Sequence, residues 1–236
     1  MIFKHRIRLL GLFAAICGAV AIAQSHTVEV AEPLTYERLS ALPADQQPVW
    51  KDYLDRSNRL LQADKDSFEK ELKAAHINEP TLPPSAGNGN TGIHLNRPDA
   101  WYATPEAVQI AENILTYQMP NGGWSKNMDL TKHPRQPGEL YGHDYHWSYL
   151  ATFDNDATID HLRFLAKSAR VNNREEYRAA FLKGLGYVFA AQYPNGGWPQ
   201  VFPLMGGYHD GITFNDNAMI NVLELLREIV GKPNDY

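Results

Sequence analysis

Between Pro48 and Ala75 the apolar residues Trp50, Leu54, Leu61, Phe68 and Leu72 fall on one helical face, with acidic and basic residues filling the positions between them. This spacing predicts an amphipathic helix. Pro80, Pro83, Pro84 and the run Gly87-Asn88-Gly89-Asn90 follow, and they read as a linker. A second helix is expected to open at Thr104-Pro105-Glu106, where threonine can cap, proline suits the first turn and glutamate meets the positive end of the helix dipole. It extends to about Tyr117, and a further helical stretch covers Asn173 to Gln192.

Both of these helices stop at the same turn, Pro120-Asn121-Gly122-Gly123-Trp124 in one case and Pro194-Asn195-Gly196-Gly197-Trp198 in the other, 74 residues apart. That is an internal repeat. It continues in Thr152-Phe153-Asp154-Asn155-Asp156-Ala157 and Thr213-Phe214-Asn215-Asp216-Asn217-Ala218, each of which opens an apolar helix. Leu162, Leu165 and Ala169 follow in the first copy, and Leu223, Leu226 and Val230 in the second. Trp124 stands 28 residues before Thr152 and Trp198 only 15 before Thr213, so the first copy holds an extra loop, with His133, His143 and His146. No run of alternating apolar and polar residues bounded by turns is evident, so the fold class reads as all-α. Repeated helix, turn, loop and helix units suit an (α/α) barrel or toroid, because neither helix of a pair can bury its face alone. An open helical solenoid is the other architecture of this kind.

The repeat brings Asp154-Asn155-Asp156 and Asn215-Asp216-Asn217 to equivalent helix starts, so both clusters should face the same end of the barrel. Each could simply cap its helix. Capping needs one side chain, however, and three carboxylates or amides stand in a row twice, which points to a shared calcium and substrate site built from oxygen ligands. The Pro-Asn-Gly-Gly-Trp turns are structural, since Asn and Gly supply left-handed backbone and Trp packs over the next helix. Lys126 and Asn127, directly after the first turn, can reach a cleft. His143 and His146 form His-x-x-His, a weak zinc signal without a Glu and a third ligand at helical spacing.

Two features of composition change this picture. Lys4, Arg6 and Arg8 precede the apolar run Leu9 to Ala23, which ends in small-x-small steps. Residues 1–23 are therefore expected to be a cleaved secretory signal peptide, too short at about 15 apolar residues to span a bilayer that needs about 20. The only cysteine, Cys17, lies inside that segment, so the mature chain holds no disulfide. Its removal takes three basic residues from the full count of 22 basic and 27 acidic, leaving 19 against 27, or −8. Nucleic acid is an unsuitable partner for such a chain. A polyanion becomes acceptable if a bound cation inverts the local field.

At Asn121-Gly-Gly-Trp-Ser-Lys-Asn127, Thr152-Phe-Asp-Asn-Asp-Ala-Thr158, Tyr193-Pro-Asn-Gly-Gly-Trp-Pro199 and Thr213-Phe-Asn-Asp-Asn-Ala218 the sequence resembles pectate lyases of polysaccharide lyase family 10, over about residues 88 to 236. The resemblance implies an (α/α)3 toroid, incomplete at its C-terminus, that cleaves de-esterified polygalacturonate by calcium-assisted β-elimination. Position after the turn gives substrate-binding roles to Lys126 and Asn127, the resemblance gives them to Asp154 and Asp216, and the oxygen-rich clusters give calcium ligands among Asp154, Asn155, Asp156 and Asp216. The family's functional aspartates fall on Asp154 and, less directly, on Asp216, where the pattern shifts from Asp-Asn-Asp to Asn-Asp-Asn. The segment that bears the family's catalytic arginine lies past Tyr236, so no base is assigned here, and the chain is expected to be a fragment. Arg163 and Arg227 sit within helices and read as surface or salt-bridge residues.

The expected organisation is a signal peptide over 1–23, a helical appendage with linker over 24–87 and a partial lyase domain over 88–236. The expected protein is secreted or periplasmic, free of membrane once the signal is removed, and a monomer when complete. An inverting glycoside hydrolase on a helical toroid and a non-catalytic pectin-binding protein are the alternatives.

Overall fold

The computed structural model describes residues 32–89, 91–143, 150–232 and 236. The expected signal peptide, with Cys17, and His146 lie outside the described residues. The described chain is helical: α1 (Tyr36–Leu39), α2 (Gln47–Ala75), α3 (Pro105–Thr116), α4 (Ile159–Asn172), α5 (Glu175–Ala191) and α6 (Ala218–Gly231). Two strands that the sequence pattern does not reveal, β1 (Ala151–Thr152) and β2 (Val201–Phe202), pair antiparallel with Ala151 opposite Phe202. At two residues each they are too short for alternation to register.

Helix α3 starts as its sequence dictates: the Thr104 hydroxyl accepts the N–H of Ala107, and Pro105 occupies the first turn. Helices α4 and α5 are joined by the left-handed Asn173 and pack on one another. Gly184 allows the close approach, since a Cβ there would stand 2.7 Å from both Leu162 Cδ2 and Trp124 Cζ3. The core gathers large rings, among them Trp124, Tyr102, Phe153, Phe164 and Tyr187, all fully buried.

The repeat is exact down to single bonds. In the first turn Met119 donates to Gly123 O and Gly122 to Met119 O; in the second Tyr193 donates to Gly197 O and Gly196 to Tyr193 O. Gly122 and Gly196 both have φ +103°, a value closed to residues with a side chain. The Trp124 and Trp198 indoles each donate to a carbonyl ten residues back, Ile114 at 2.8 Å and Val188 at 2.9 Å. Each indole thus locks its turn to the helix before it.

Helix α2 lies against both turns. Tyr53 donates to Ala191 O at 3.0 Å, beside the second turn, and the buried Asp64 carboxylate accepts the N–H of Asn121 at 3.0 Å in the first. Further along, Glu71 takes a two-pronged contact from Arg135 at 2.8 and 2.9 Å. The Asn121 bond explains why the buried face of α2 includes Asp64, and Ser57 is there because its Oγ accepts the N–H of Leu204 at 2.8 Å; Tyr53, Leu54 and Phe68 complete that face. In α6 the buried face is Ala218, Asn221, Val222 and Leu225, whereas Leu223 and Val230, expected on the apolar stripe, are exposed.

The candidate functional site

Each acidic cluster forms one 3₁₀ turn, Asp154–Asp156 and Asn215–Asn217, and the two turns pack against each other. Thr152 Oγ1 accepts the N–H of Asp154 at 2.9 Å, and Thr213 Oγ1 accepts that of Asn215 at 3.0 Å. Asp154 therefore corresponds to Asn215, and Asp216 to Asn155. Neither cluster makes a side-chain cap bond: the N-cap positions of α4 and α6 are Thr158 and Asn217, and the side chain of neither caps its helix. The first turn is strained, with Asn155, Asp156 and Thr158 all at φ between 53° and 62°. For the β-branched Thr158 this conformation is costly. It is held by an exchange with Trp124, whose N–H donates to Thr158 Oγ1 at 3.0 Å while the hydroxyl donates to Trp124 O at 3.2 Å.

Asp154 is buried, 4% exposed, and receives a charge-assisted bond on each oxygen side: Lys126 Nζ on Oδ2 and Gln200 Nε2 on Oδ1 at 2.9 Å. The same Gln200 nitrogen donates to Asp216 Oδ2 at 3.2 Å, and Asn215 Nδ2 donates to that oxygen too. Asp216 is exposed, yet its pKa is raised, by partial loss of water around the carboxyl and then by the Asp154 carboxylate beside it. His209 stands close by, its pKa lowered by burial and by the Lys126 charge. Lys126 and Asp154 are both buried, so each is the compensation for the other's charge.

The remaining expected site residues point elsewhere. Asp156 Oδ1 accepts from Asn221 Nδ2 of α6. Asn155 lies against Gly89, where a Cβ would meet its Oδ1 at 3.3 Å. Asn127, left-handed at φ 69°, accepts the Gly89 N–H on its side chain at 3.1 Å. The stretch read as a linker is thereby fastened beside the site, with Asp129 N donating to Pro84 O at 2.7 Å and Leu130 N to Thr91 O at 3.0 Å. His143 directs Nδ1 to the Pro83 carbonyl. Arg163 bridges Glu228 at 2.9 Å, as a salt-bridge residue should.

The residue that sequence reasoning missed is Gln200. The signal was available: Lys126 and Gln200 each stand two residues past the tryptophan of their turn, so the repeat itself puts them in matching places.

Does this set suit calcium? Two carboxylates held side by side, with hard oxygen donors, are what a divalent ion draws together. Among the described residues no trio of His, Cys, Asp or Glu is arranged to hold a metal. Any cation here would have two protein carboxylates and would complete its six to eight oxygens from water and ligand.

A helical fold with a repeated turn that brings a buried lysine–aspartate pair to a second carboxylate defines a class of acidic, oxygen-rich site. The chain belongs to the pectic acid lyase family, whose model matches residues 118–236. Among solved structures the chain is similar to a family 10 polysaccharide lyase from Cellvibrio cellulosa, 34% identical over 58% of this chain and 41% of that one, with a TM-score of 0.47. A mutant of that lyase in complex with trigalacturonic acid gives 34% identity, 61% and 45% coverage and a TM-score of 0.48. The chain spans less than half the length of these relatives. No curated protein matches it.

Proposed function

We propose that this protein is a secreted, calcium-dependent pectate lyase acting on de-esterified polygalacturonate, with Asp154, Asp216, Lys126 and Gln200 at its substrate and cation site. The observation that carries the reading is the single Gln200 nitrogen that donates to both Asp154 Oδ1 and Asp216 Oδ2 in a member of the pectic acid lyase family. The trigalacturonic acid bound by the Cellvibrio lyase mutant supports the substrate class. Calcium on Asp154 and Asp216 would offset the negative charge that builds up when a proton beside a uronate carboxylate is removed. In this chain Lys126 and Gln200 fix the Asp154 carboxylate from two sides, so its orientation is set before ligand arrives. Asp216, at the exposed edge of the pair, is the carboxylate open to an incoming uronate and its cation. No side chain is assigned as the base. The arginines Arg135, Arg163, Arg170 and Arg174 hold ion pairs with Glu71, Glu228, Asp99 and Glu112 rather than with this pair. Secretion by cleavage of residues 1–23 is part of the same proposal and would appear as a mature N-terminus near Gln24.

The geometry disfavours the hydrolase alternative. Inverting glycosidases keep their two carboxyl groups about 6.5 to 9.5 Å apart to admit a water. Here Asp154 Oδ1 and Asp216 Oδ2 share one Gln200 nitrogen at 2.9 and 3.2 Å, which leaves them no farther apart than the sum of those two distances. The experiment is incubation of the protein with polygalacturonate and calcium, followed by ultraviolet absorbance and by reducing-end assay. Unsaturated product absorbing in the ultraviolet supports the lyase. Reducing ends without absorbance mean hydrolysis, and retention on polygalacturonate without cleavage means that this chain binds the polymer without supplying the base itself.

A further inference from the structure

The two copies of the repeat converge on one carboxylate with different chemistry. Lys126 in the first copy brings a full charge to Asp154, and Gln200, at the matching place in the second, brings an amide. A second lysine there would compensate both aspartates and leave little for a cation. An amide nitrogen has two N–H groups, and the two acceptors within reach are Asp154 Oδ1 at 2.9 Å and Asp216 Oδ2 at 3.2 Å. The amide cannot be turned over, because its carbonyl oxygen would then face two carboxylates.

The rest of Gln200 is fixed with equal care. It is 1% exposed. Its carbonyl accepts from Phe153 N and from Thr152 Oγ1, both at 2.9 Å, and its own N–H donates to His209 O at 2.9 Å. Thr152 Oγ1 also accepts the Asp154 N–H, so the main chain of Gln200 and that of Asp154 are tied through one hydroxyl. Gln200 Oε1 is buried and has no hydrogen-bond partner among the described residues. An unsatisfied buried carbonyl oxygen is a cost, and a side chain chosen for packing alone would not carry it.

We propose that Gln200 is the positioning residue of the site: its amide holds Asp154 and Asp216 at the separation a divalent cation requires, without adding charge of its own. The inference rests on the calcium and uronate reading above. Loss of a group that orients a metal ligand typically lowers metal affinity about 10- to 100-fold.

The test is calcium titration by calorimetry of the wild-type chain, Gln200→Met and Gln200→Asn, with melting temperature measured alongside. Methionine fills the space without a donor, and asparagine keeps the amide but is one methylene too short to serve both acids. Both variants are expected to bind calcium about 10- to 100-fold more weakly. If Gln200→Met does not fold, Gln200→Asn decides. Unchanged calcium affinity in a folded variant, even with a lowered melting temperature, overturns the proposal and leaves the lyase reading standing. A wild-type chain that takes up no calcium overturns both.

Discussion

Lys126 and Gln200 occupy the same place in the two copies of the repeat and donate to the two oxygens of a single carboxylate, Asp154. Asp154 and Asp216 therefore differ in kind although both belong to the proposed site. The first is buried in an ion pair, and the second is an exposed acid held against it.

Alanine at the two positions should separate these roles. Asp154→Ala strands the buried Lys126 and is expected to cost about 3 to 5 kcal/mol. Asp216→Ala removes an exposed acid and relieves a like-charge contact, so its stability should stay within about 0.5 kcal/mol of wild type. Urea unfolding of the two variants measures both. Equal losses would mean that the second carboxylate is as deeply built into the fold as the first.

Helix α5 offers two glycines with opposite expectations. Gly186 has nothing within 4 Å of a built Cβ, so Gly186→Ala should stabilise by about 0.5 to 1 kcal/mol through helix propensity alone. Gly184 faces Leu162 and Trp124 at 2.7 Å, and Gly184→Ala should destabilise by about 1 to 3 kcal/mol despite the same gain in propensity. Thermal melts that rank the two variants the other way would contradict the packing of α4 on α5.

Asn127 is left-handed, a conformation open to glycine and costly for alanine. Asn127→Gly should keep the backbone and release only the Gly89 N–H, whereas Asn127→Ala should lose both and destabilise by about 1 kcal/mol more. Limited proteolysis is the check on the first variant, with faster cleavage expected near Gly87 to Gly89. A cleavage pattern identical to wild type would show that the Asn127 contact does not hold this stretch.

The pH profile follows from two acids, the buried Asp64 and the half-buried Asp160. Burial raises Asp64 to about 6, and burial with the neighbouring Asp156 charge raises Asp160 to about 6. A folded-state pKa above the unfolded one, near 4 for aspartate, means that the folded protein binds more protons between those values. The stability these two groups contribute is full below about pH 4 and is lost as pH rises through about 6. Glu71 and Glu228, lowered net by Arg135 and Arg163 against burial, act in the opposite sense and lose their contribution in acid. Melting temperature should rise as pH falls from 7 to 5, and Asp160→Asn should flatten that rise. A profile of unchanged slope in Asp160→Asn would remove this acid from the account.

How much of this was legible in the chain? The repeat was, because Pro-Asn-Gly-Gly-Trp needs two glycines and a tryptophan in fixed order for a reason that survives in both copies: Gly122 and Gly196 share one backbone geometry, and each indole closes on its own helix. Helix starts and ends were legible too, through Thr104 and the turns. Gln200 was legible only by laying the two copies of the repeat over each other, since a glutamine after proline carries no charge and its partners are 46 and 16 residues away. The binding of the Gly-rich stretch to Asn127 escaped for a related reason, because its contacts are made by backbone groups that composition does not display. The exposed Leu223 and Val230 show the limit of periodicity, which marks an apolar stripe but not which half of it meets a neighbour.

The central claim is that Asp154 and Asp216 form a cation-dependent uronate site, and calorimetric titration of trigalacturonate into the protein tests it most directly. Binding is expected in calcium and should disappear in excess EDTA and in Asp216→Ala, whose circular dichroism should match wild type. Undiminished binding in EDTA, or in a folded Asp216→Ala chain, would contradict the claim.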